Sequence, residues 1–352
     1  MKKLKKIFQS TVTKIISLLL IILFALSVFF FFETYKKAYR AVKGYWEIYK
    51  GDKAFKNKEL SKAIYFYEKG IRLHPKHYRA MYNLANIYVV YEDYYSAIEN
   101  YKKALSVRPD YEVARIDYAI VLSEIYQIDE AIKQYEKIIS ESPKFIKIPF
   151  ILDNKKSHKY NKGVAYYNMG LAYRTKSMLA GVNNELKNKY LKDAENSYIE
   201  AVDILKSYNS NYNLGLVYQL LRDYHKAGYY YCQAIETDPM EYEAHFNLAI
   251  ILNNMKDYVN ANKEFQKANL ILSAKGNNEK SQYVFYMLMD VGQKIALLKN
   301  DDDFYKHLDE KKSAKEPKYK AGKLVLEEDK DNNELIEDFK VCEGKEKFKG
   351  EI

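Results

Sequence analysis

Cysteine is scarce in this chain of 352 residues, which contains only Cys232 and Cys342. The two lie far apart and form no CxxC pair, so the pattern argues against a disulfide framework and against a structural zinc site. The six histidines show no HExxH motif or other paired ligand spacing. We therefore expect no metal site and no cofactor.

Glycine is also scarce, with 13 residues, which weighs against an active site built from loops. The sequence has no phosphate-binding glycine loop, no nucleophile elbow and no carboxylate pair outside its charged surface runs. No residue is a candidate for catalysis. The sequence predicts a protein that is not an enzyme.

The excess of positive over negative charge is concentrated at one end of the chain. The formal net charge is +10, and residues 1–43 supply most of it, with nine Lys or Arg against Glu33 alone. The remaining chain is close to neutral. A basic face for nucleic acid is therefore not expected.

One long hydrophobic run, residues 15–32, has the sequence IISLLLIILFALSVFFFF and carries no charge. As a helix it spans about 27 Å, roughly one hydrocarbon core. The one candidate site for signal cleavage, at Ala25-Leu26-Ser27, would leave an apolar new terminus, so we favour an uncleaved signal anchor. We expect a basic leader at 1–14, this anchor, and a juxtamembrane linker at 33–43.

The basic residues on either side of the run bear on its orientation. Five lysines precede it and four basic residues follow it, and a short lysine-rich leader favours a cytoplasmic amino terminus. We expect a single-pass protein of a bacterial inner membrane with its body outside the cytoplasm. The alternative is a soluble extracytoplasmic module released by cleavage.

A repeat of 34 residues dominates the rest of the chain. Pro75, Pro109 and Pro143 follow each other at this spacing, and Pro239 closes a later copy. Such a period is typical of stacked helix-turn-helix units, in which proline ends the second helix. Small residues that let two helices approach recur in the first helices at Gly51, Ala85, Ala119, Gly170, Gly215 and Ala249, and in the second helices at Ala63, Ala97, Ala131, Ala194, Ala227 and Ala261. Large side chains that fill the gap beside them recur at Tyr67, Tyr101, Tyr135, Tyr198, Tyr231 and Phe265.

These recurring positions resemble the tetratricopeptide repeat family in six copies over about residues 44–275. The resemblance implies an all-α solenoid of helix pairs, preceded here by one transmembrane helix. The expected segments are repeats 1–3 at 44–145, a connector at 146–162, repeats 4–6 at 163–275 with an insert near 174–190, a capping helix at 276–300, and a charged, disordered tail at 301–352.

A second stripe of apolar and aromatic residues runs along the first helices, where a helix with one buried face would be polar. The family resemblance implies that first helices line the concave surface, so this stripe and the polar column beside it are the candidate partner-binding residues. They are Tyr82, Asn83, Ile116, Asp117, Tyr167, Asn168, Tyr212, Asn213, Phe246 and Asn247. Amide side chains both donate and accept, so the column suits the backbone of an extended peptide. The alternative is that these residues are fillers that bond locally.

Aligning the first three repeats with those of a known peptide clamp argues against one specialised partner. Clamps for the acidic carboxyl terminus of heat-shock chaperones place Lys, Arg and Asn at five positions, which here hold Ile48, Asp52, Asn83, Val113 and Asp117. Only Asn83 matches, so a two-carboxylate clamp is not expected. The sequence predicts a non-catalytic, membrane-tethered scaffold that binds protein partners or extended peptides; an accessory subunit of an enzyme complex is a further alternative.

Overall fold

The computed structural model describes residues 2–141, 154–179, 181–300, 318–320, 323–325 and Cys342. Pro143, residues 146–153 of the predicted connector and most of the predicted tail lie outside these residues. The chain forms two compact units, Met1–Tyr126 and Gln127–Ile352.

The first unit consists of helices. They are α1 (Lys2–Lys56), α2 (Leu60–Leu73), α3 (Tyr78–Val90), α4 (Tyr94–Val107) and α5 (Glu112–Glu124). The carboxyl-terminal part of α1 pairs with α2, and α3 pairs with α4, as the repeat predicts. Buried side chains from Ile48 on α1 to Ile87 on α3 join α1, α2 and α3 into one core.

The second unit continues the same alternation of helices. They are α6 (Ile128–Ser140), α7 (Asn154–Met178), α8 (Asn184–Leu205), α9 (Tyr208–Leu220), α10 (Tyr224–Thr237), α11 (Tyr242–Asn254), α12 (Tyr258–Ala274) and α13 (Asn278–Asn300). A core of buried side chains extends from Leu191 on α8 to Val291 on α13. The predicted all-α helix-pair solenoid with a final capping helix is confirmed. Two short strands, β1 (Lys318–Lys320) and β2 (Lys323–Val325), form an antiparallel pair within the predicted tail.

The tight turn inside several repeats has a simple chemical basis. A residue in the left-handed region, such as Glu92, Arg222 or Lys256, is followed directly by an aspartate that caps the start of the second helix. That aspartate accepts a hydrogen bond from a backbone N–H in the first turn, for example Asp93 Oδ1 from the Ser96 N–H at 3.1 Å. The cap satisfies one of the unpaired donors at the helix start and fixes where the second helix begins.

The glycines at the small positions let the two helices of a repeat approach closely, as the sequence predicts. A Cβ added to Gly215 on α9 would lie 2.7 Å from the ring of Tyr231 on α10, and Gly51 and Gly170 stand in the same relation to Tyr67 and Tyr198. All three rings are completely buried. At these three positions the first helix therefore packs directly on an aromatic ring of the second helix.

Helix α1 contains three segments that the sequence predicts as separate. The predicted anchor, the predicted linker at 33–43 and the first helix of repeat 1 form one continuous helix of 55 residues. Among the residues that the structure describes, the part of α1 from Leu18 onward is long and apolar enough to cross a membrane, with mean hydropathy 2.3 in its most apolar window. A signal sequence near the amino terminus meets the same criterion, so this finding fits both an uncleaved anchor and a cleaved signal sequence.

The fourth repeat is longer than its neighbours because both of its helices are extended. Helix α7 has 25 residues and already begins at Asn154, inside the predicted connector. Helix α8 has 22 residues, so most of the predicted insert near 174–190 is helical rather than a loop.

The expectation about the cysteines is wrong in one respect. Cys232 on α10 is bonded to Cys342, across a sequence separation of 110 residues. Spacing along the sequence could not reveal this pair, because the distance between two cysteines in a folded chain is set by how the intervening helices stack. The Cys232 side chain is buried, while Cys342 is exposed.

A pair of glycine substitutions tests the helix-packing arrangement. Gly215→Ala forces a methyl group against a buried ring, which costs about 1 to 3 kcal/mol and outweighs the helix propensity that alanine gains, about 1 kcal/mol. Gly292→Ala is the matched control, because nothing lies within 4 Å of its added Cβ. We expect thermal unfolding at a lower temperature for Gly215→Ala and at an unchanged or higher temperature for Gly292→Ala. Equal stability of the two variants would contradict the packing arrangement.

Candidate partner-binding surface

The candidate residues occupy equivalent positions on five first helices. In the first unit, α3 carries Tyr82 and Asn83, and α5 carries Ile116 and Asp117. In the second unit, α7, α9 and α11 carry the pairs Tyr167–Asn168, Tyr212–Asn213 and Phe246–Asn247. Ile116 and Asn213 are buried, and the other eight are half-buried. Most of them thus keep part of their surface open to a ligand.

Each ring of the stripe packs on the gap-filling ring of its own repeat. The ring centroids are 6.1 Å apart for Tyr82 and Tyr101, and 5.9 Å apart for Tyr167 and Tyr198. In the next two repeats they are 5.8 Å apart for Tyr212 and Tyr231, and 5.6 Å apart for Phe246 and Phe265. These are ordinary aromatic packing distances. One edge of each stripe ring is therefore fixed by the core, which holds the rest of the ring in place.

The tyrosine hydroxyls of the second unit bond to the amide column of the following repeat. Asn213 Nδ2 donates to the Tyr167 hydroxyl oxygen at 3.2 Å, and Asn247 Nδ2 donates to the Tyr212 hydroxyl oxygen at 2.9 Å. Each bond links the first helix of one repeat to the first helix of the next. We call these contacts the inter-repeat links.

The first unit has the same link with a carboxylate in place of the amide. The Tyr82 hydroxyl donates to Asp117 Oδ2 at 2.7 Å. The Asn83 amide reaches back instead, donating to Asp52 Oδ1 at 3.4 Å and to the Tyr67 hydroxyl oxygen at 3.3 Å.

Sequence reasoning missed these links although a signal exists. Tyr82 and Asp117 are separated by 35 positions, as are Tyr212 and Asn247, which is one repeat period plus one. A tyrosine at one position therefore faces a polar side chain one residue further along in the next copy. The spacing of residues within a single helix cannot show this pairing, because it joins two consecutive repeats.

The polar column could either contact a peptide or consist of fillers that bond locally, and its residues differ in this respect. Asn168 Nδ2 donates to the carbonyl oxygen of Val164 in its own helix, at 2.9 Å, which is the local bonding of a filler. Asn213 and Asn247 have the inter-repeat links. Asn213 also donates to the Asn209 carbonyl oxygen of its own helix at 2.8 Å, and its oxygen accepts from Arg174, so its bonding capacity is largely used. Asn247 uses one amide N–H for its link, which leaves its second N–H and acceptor capacity on its oxygen.

The charge of this surface differs between the two units. Burial raises the pKa of the Asp117 carboxyl, although the hydrogen bond from Tyr82 partly opposes this effect. No Lys or Arg among the described residues forms an ion pair with Asp117. In the second unit, Arg174 Nη1 donates to Asn213 Oδ1 at 2.8 Å, so a guanidinium lies beside the stripe there.

The stripe tyrosines are protonated at neutral pH. Desolvation by burial raises the pKa of Tyr167 and of Tyr212, and the positive charge of Arg174 acts in the opposite direction on both. Their hydroxyls are therefore available as hydrogen-bond partners and not as phenolates. Within the described ranges, no group of three or more His, Cys, Asp or Glu side chains is arranged to hold a metal ion.

Comparisons with known proteins support the repeat assignment. The tetratricopeptide repeat family matches residues 78–111, and a second match to the same family covers residues 208–239. These ranges contain α3–α4 and α9–α10, one helix pair in each compact unit.

One curated relative is the BBSome complex member BBS4 of Bos taurus. It is 22% identical over 213 residues, which is 60% of this chain and 35% of that protein. The chain thus spans about a third of this relative's length.

Among solved structures, PilF of Pseudomonas aeruginosa has a TM-score of 0.51 at 14% identity, covering 70% of this chain and 98% of that one. A tetratricopeptide repeat protein of Parabacteroides merdae has a TM-score of 0.46 at 14% identity, covering 76% and 97%. At this identity the similarity to PilF shows a shared fold. Tetratricopeptide repeats are scaffolds for protein–protein interaction. On the two matched segments and this shared fold, the chain contains tetratricopeptide repeats in both of its compact units.

Proposed function

We propose that this protein is a non-catalytic, membrane-tethered scaffold that binds an extended segment of a partner protein along the first helices of its repeats. The observation that carries the proposal is the half-buried aromatic stripe, whose rings are fixed on one edge and partly open on the other. A rigid, partly exposed ring offers contact area at a small cost in conformational entropy on binding. The surface is therefore preorganised for a ligand.

The polar column supports an extended peptide as the ligand. Asn247 uses one amide N–H for its link to Tyr212, which leaves its second N–H and its oxygen for the backbone of a bound segment. Contacts of this kind hold a peptide backbone without reading its sequence. The specificity would then come from the stripe rings and from the charges beside them.

In the first unit, the charge favours a partner with basic side chains. Asp117 holds a carboxylate where burial disfavours its ionised form, in the slot that other repeats fill with asparagine. An unpaired buried charge lowers stability, and a bound lysine or arginine would offset that cost. We propose a basic side chain of the partner beside Asp117.

Continuity of α1 supports the tether. Because the apolar segment and the first repeat helix belong to one helix, the repeats would be held directly at the membrane surface. Such tethering raises the effective concentration of partners in the same membrane. The bond between Cys232 and Cys342 favours the oxidising side of the membrane, since disulfides persist there. It therefore supports the extracytoplasmic orientation of the body.

Site-specific photocrosslinking tests the binding surface without removing any aromatic side chain. Benzoylphenylalanine in place of Tyr82, Tyr212 or Phe246 should capture the same partner from intact membranes, because each position lies on the stripe. The matched control is Tyr95 on the second helix α4, which is 80% exposed and away from the stripe. The measurement is the mass and identity of the crosslinked product. Equal capture at Tyr95, or no capture at any stripe position, would contradict the proposed surface.

The substitution Asp117→Asn tests the cost of the buried carboxylate. The new amide oxygen can still accept the Tyr82 hydrogen bond, while the charge that burial disfavours is gone. Since the folded-state pKa of Asp117 is raised, its ionisation lowers the stability of the fold as pH rises above the ordinary aspartate pKa of 3.8. We expect the variant to unfold at a higher temperature than the native protein at pH 7, with a difference that diminishes as the pH falls towards 4. A variant that is less stable at pH 7 would show that the carboxylate has a favourable partner.

A further inference from the structure

An exposed aromatic stripe lies on α1 between the apolar segment and the packed repeats. Tyr35, Tyr39, Val42, Trp46 and Tyr49 have between 58% and 68% of their surface exposed. They are separated by four, three, four and three residues, which is the spacing of the two apolar positions in a coiled-coil heptad. We call these five residues the α1 seam. Val28 and Phe32 continue the same spacing into the apolar segment.

The α1 seam faces away from the repeats. The residues that α1 buries against α2 include Gly44, Ile48 and Gly51, and a Cβ on Gly44 or Gly70 would collide with the opposite helix. At 100° per residue, this packed face and the α1 seam are roughly 150° apart on the helix. The α1 seam therefore lies outside the face of α1 that packs on α2.

The interface of a membrane does not account for the α1 seam. Tyrosine and tryptophan are enriched at the headgroup layer, which extends only about 5 to 8 Å beyond the hydrocarbon core. Along the axis of a straight helix, Trp46 and Tyr49 lie roughly 21 and 26 Å beyond Phe32. A belt at the membrane surface explains Tyr35 and not the rest of the row.

We propose that the α1 seam is the contact surface of a parallel helix pair with a second copy of this chain. The seam is self-complementary, because the same row of side chains on a second copy supplies the same heptad spacing. A helix that enters the membrane in both copies from the same side makes the parallel arrangement the natural one.

Charges beside the α1 seam select the same orientation. Lys36, Lys43 and Lys50 each follow a seam residue directly and occupy the same flank. An antiparallel pair centred on Val42 brings Lys43 against its own copy and Lys36 against Lys50, which is repulsive. In a parallel pair the same flank faces Phe31, Ala38 and Tyr45, which carry no charge.

The area available is enough for a specific dimer that is also held in a membrane. Five mostly aromatic side chains at this exposure offer about 100 to 130 Å² each, so two copies bury roughly 1,000 to 1,300 Å² in total. This is near the lower end of stable interfaces. Pairing of the two α1 helices would place two sets of repeats side by side at the membrane. A partner with two binding segments would then gain avidity.

Cysteine crosslinking of the full-length chain in native membranes tests this pairing. The native cysteines are bonded to each other, so an added cysteine is the only free thiol. Val42→Cys places it in the α1 seam, and Lys37→Cys is the matched exposed control on the opposite side of the helix. Because seam positions approach within disulfide range, we expect about fivefold more crosslinked dimer for Val42→Cys than for Lys37→Cys. Equal yields, or none at Val42→Cys, would overturn the proposal.

Two further measurements test whether the pair is parallel and whether the α1 seam contacts lipid instead of a second copy. Tyr35→Cys and Tyr49→Cys should each crosslink with themselves and not with each other; the reverse result would overturn the parallel arrangement. Trp46 is the only tryptophan in the chain, so its fluorescence reports on the α1 seam alone. We expect brominated lipids to leave it unquenched. Strong quenching without any crosslink would assign the α1 seam to the membrane surface instead.

Discussion

The contact between a small residue on each first helix and a buried aromatic ring on its second helix is the constraint on which the repeats depend. Gly215 against the Tyr231 ring shows its geometry, with no room for even one methyl group. Because the ring is completely buried and fixed, it sets the distance and rotation of the first helix. That rotation in turn decides which residues of the first helix face outward. The position of the candidate surface is thus a consequence of helix packing inside each repeat.

The candidate surface has a second structural use, since its tyrosines and polar residues also join consecutive repeats. The Tyr212–Asn247 link spans two first helices and leaves the ring only partly covered. A ligand that contacts this ring therefore touches the element that fixes the spacing of two repeats. We expect binding and the rigidity of the stack to be coupled through these links, because a ligand that favours one spacing stabilises it.

The sequence was sufficient for whatever is local or periodic. The helix pairs and the small and aromatic slots follow from residue types that recur at a fixed spacing, and the structure confirms the fold that they predict. The inter-repeat links needed a comparison one period apart, as Tyr82 and Asp117 show. The Cys232–Cys342 bond depends on how a chain segment returns to α10, which no spacing encodes. The continuity of α1 was also not predicted, because a change of composition at residue 33 does not end a helix that has no proline there. The ten candidate binding residues stay a prediction, since a partner and not the fold alone defines a binding site.

The central claim is that the candidate surface also holds neighbouring repeats together, and a double-mutant cycle on Tyr212→Phe and Asn247→Ala tests it most directly. The phenylalanine keeps the ring and removes the hydroxyl, while the alanine removes the amide that donates to it. Unfolding free energies of the native chain, both single variants and the double variant give the coupling between the two side chains. The account predicts a favourable coupling of about 0.5 to 1.5 kcal/mol, the net contribution of one hydrogen bond. Strictly additive losses, with a coupling of zero, would contradict it.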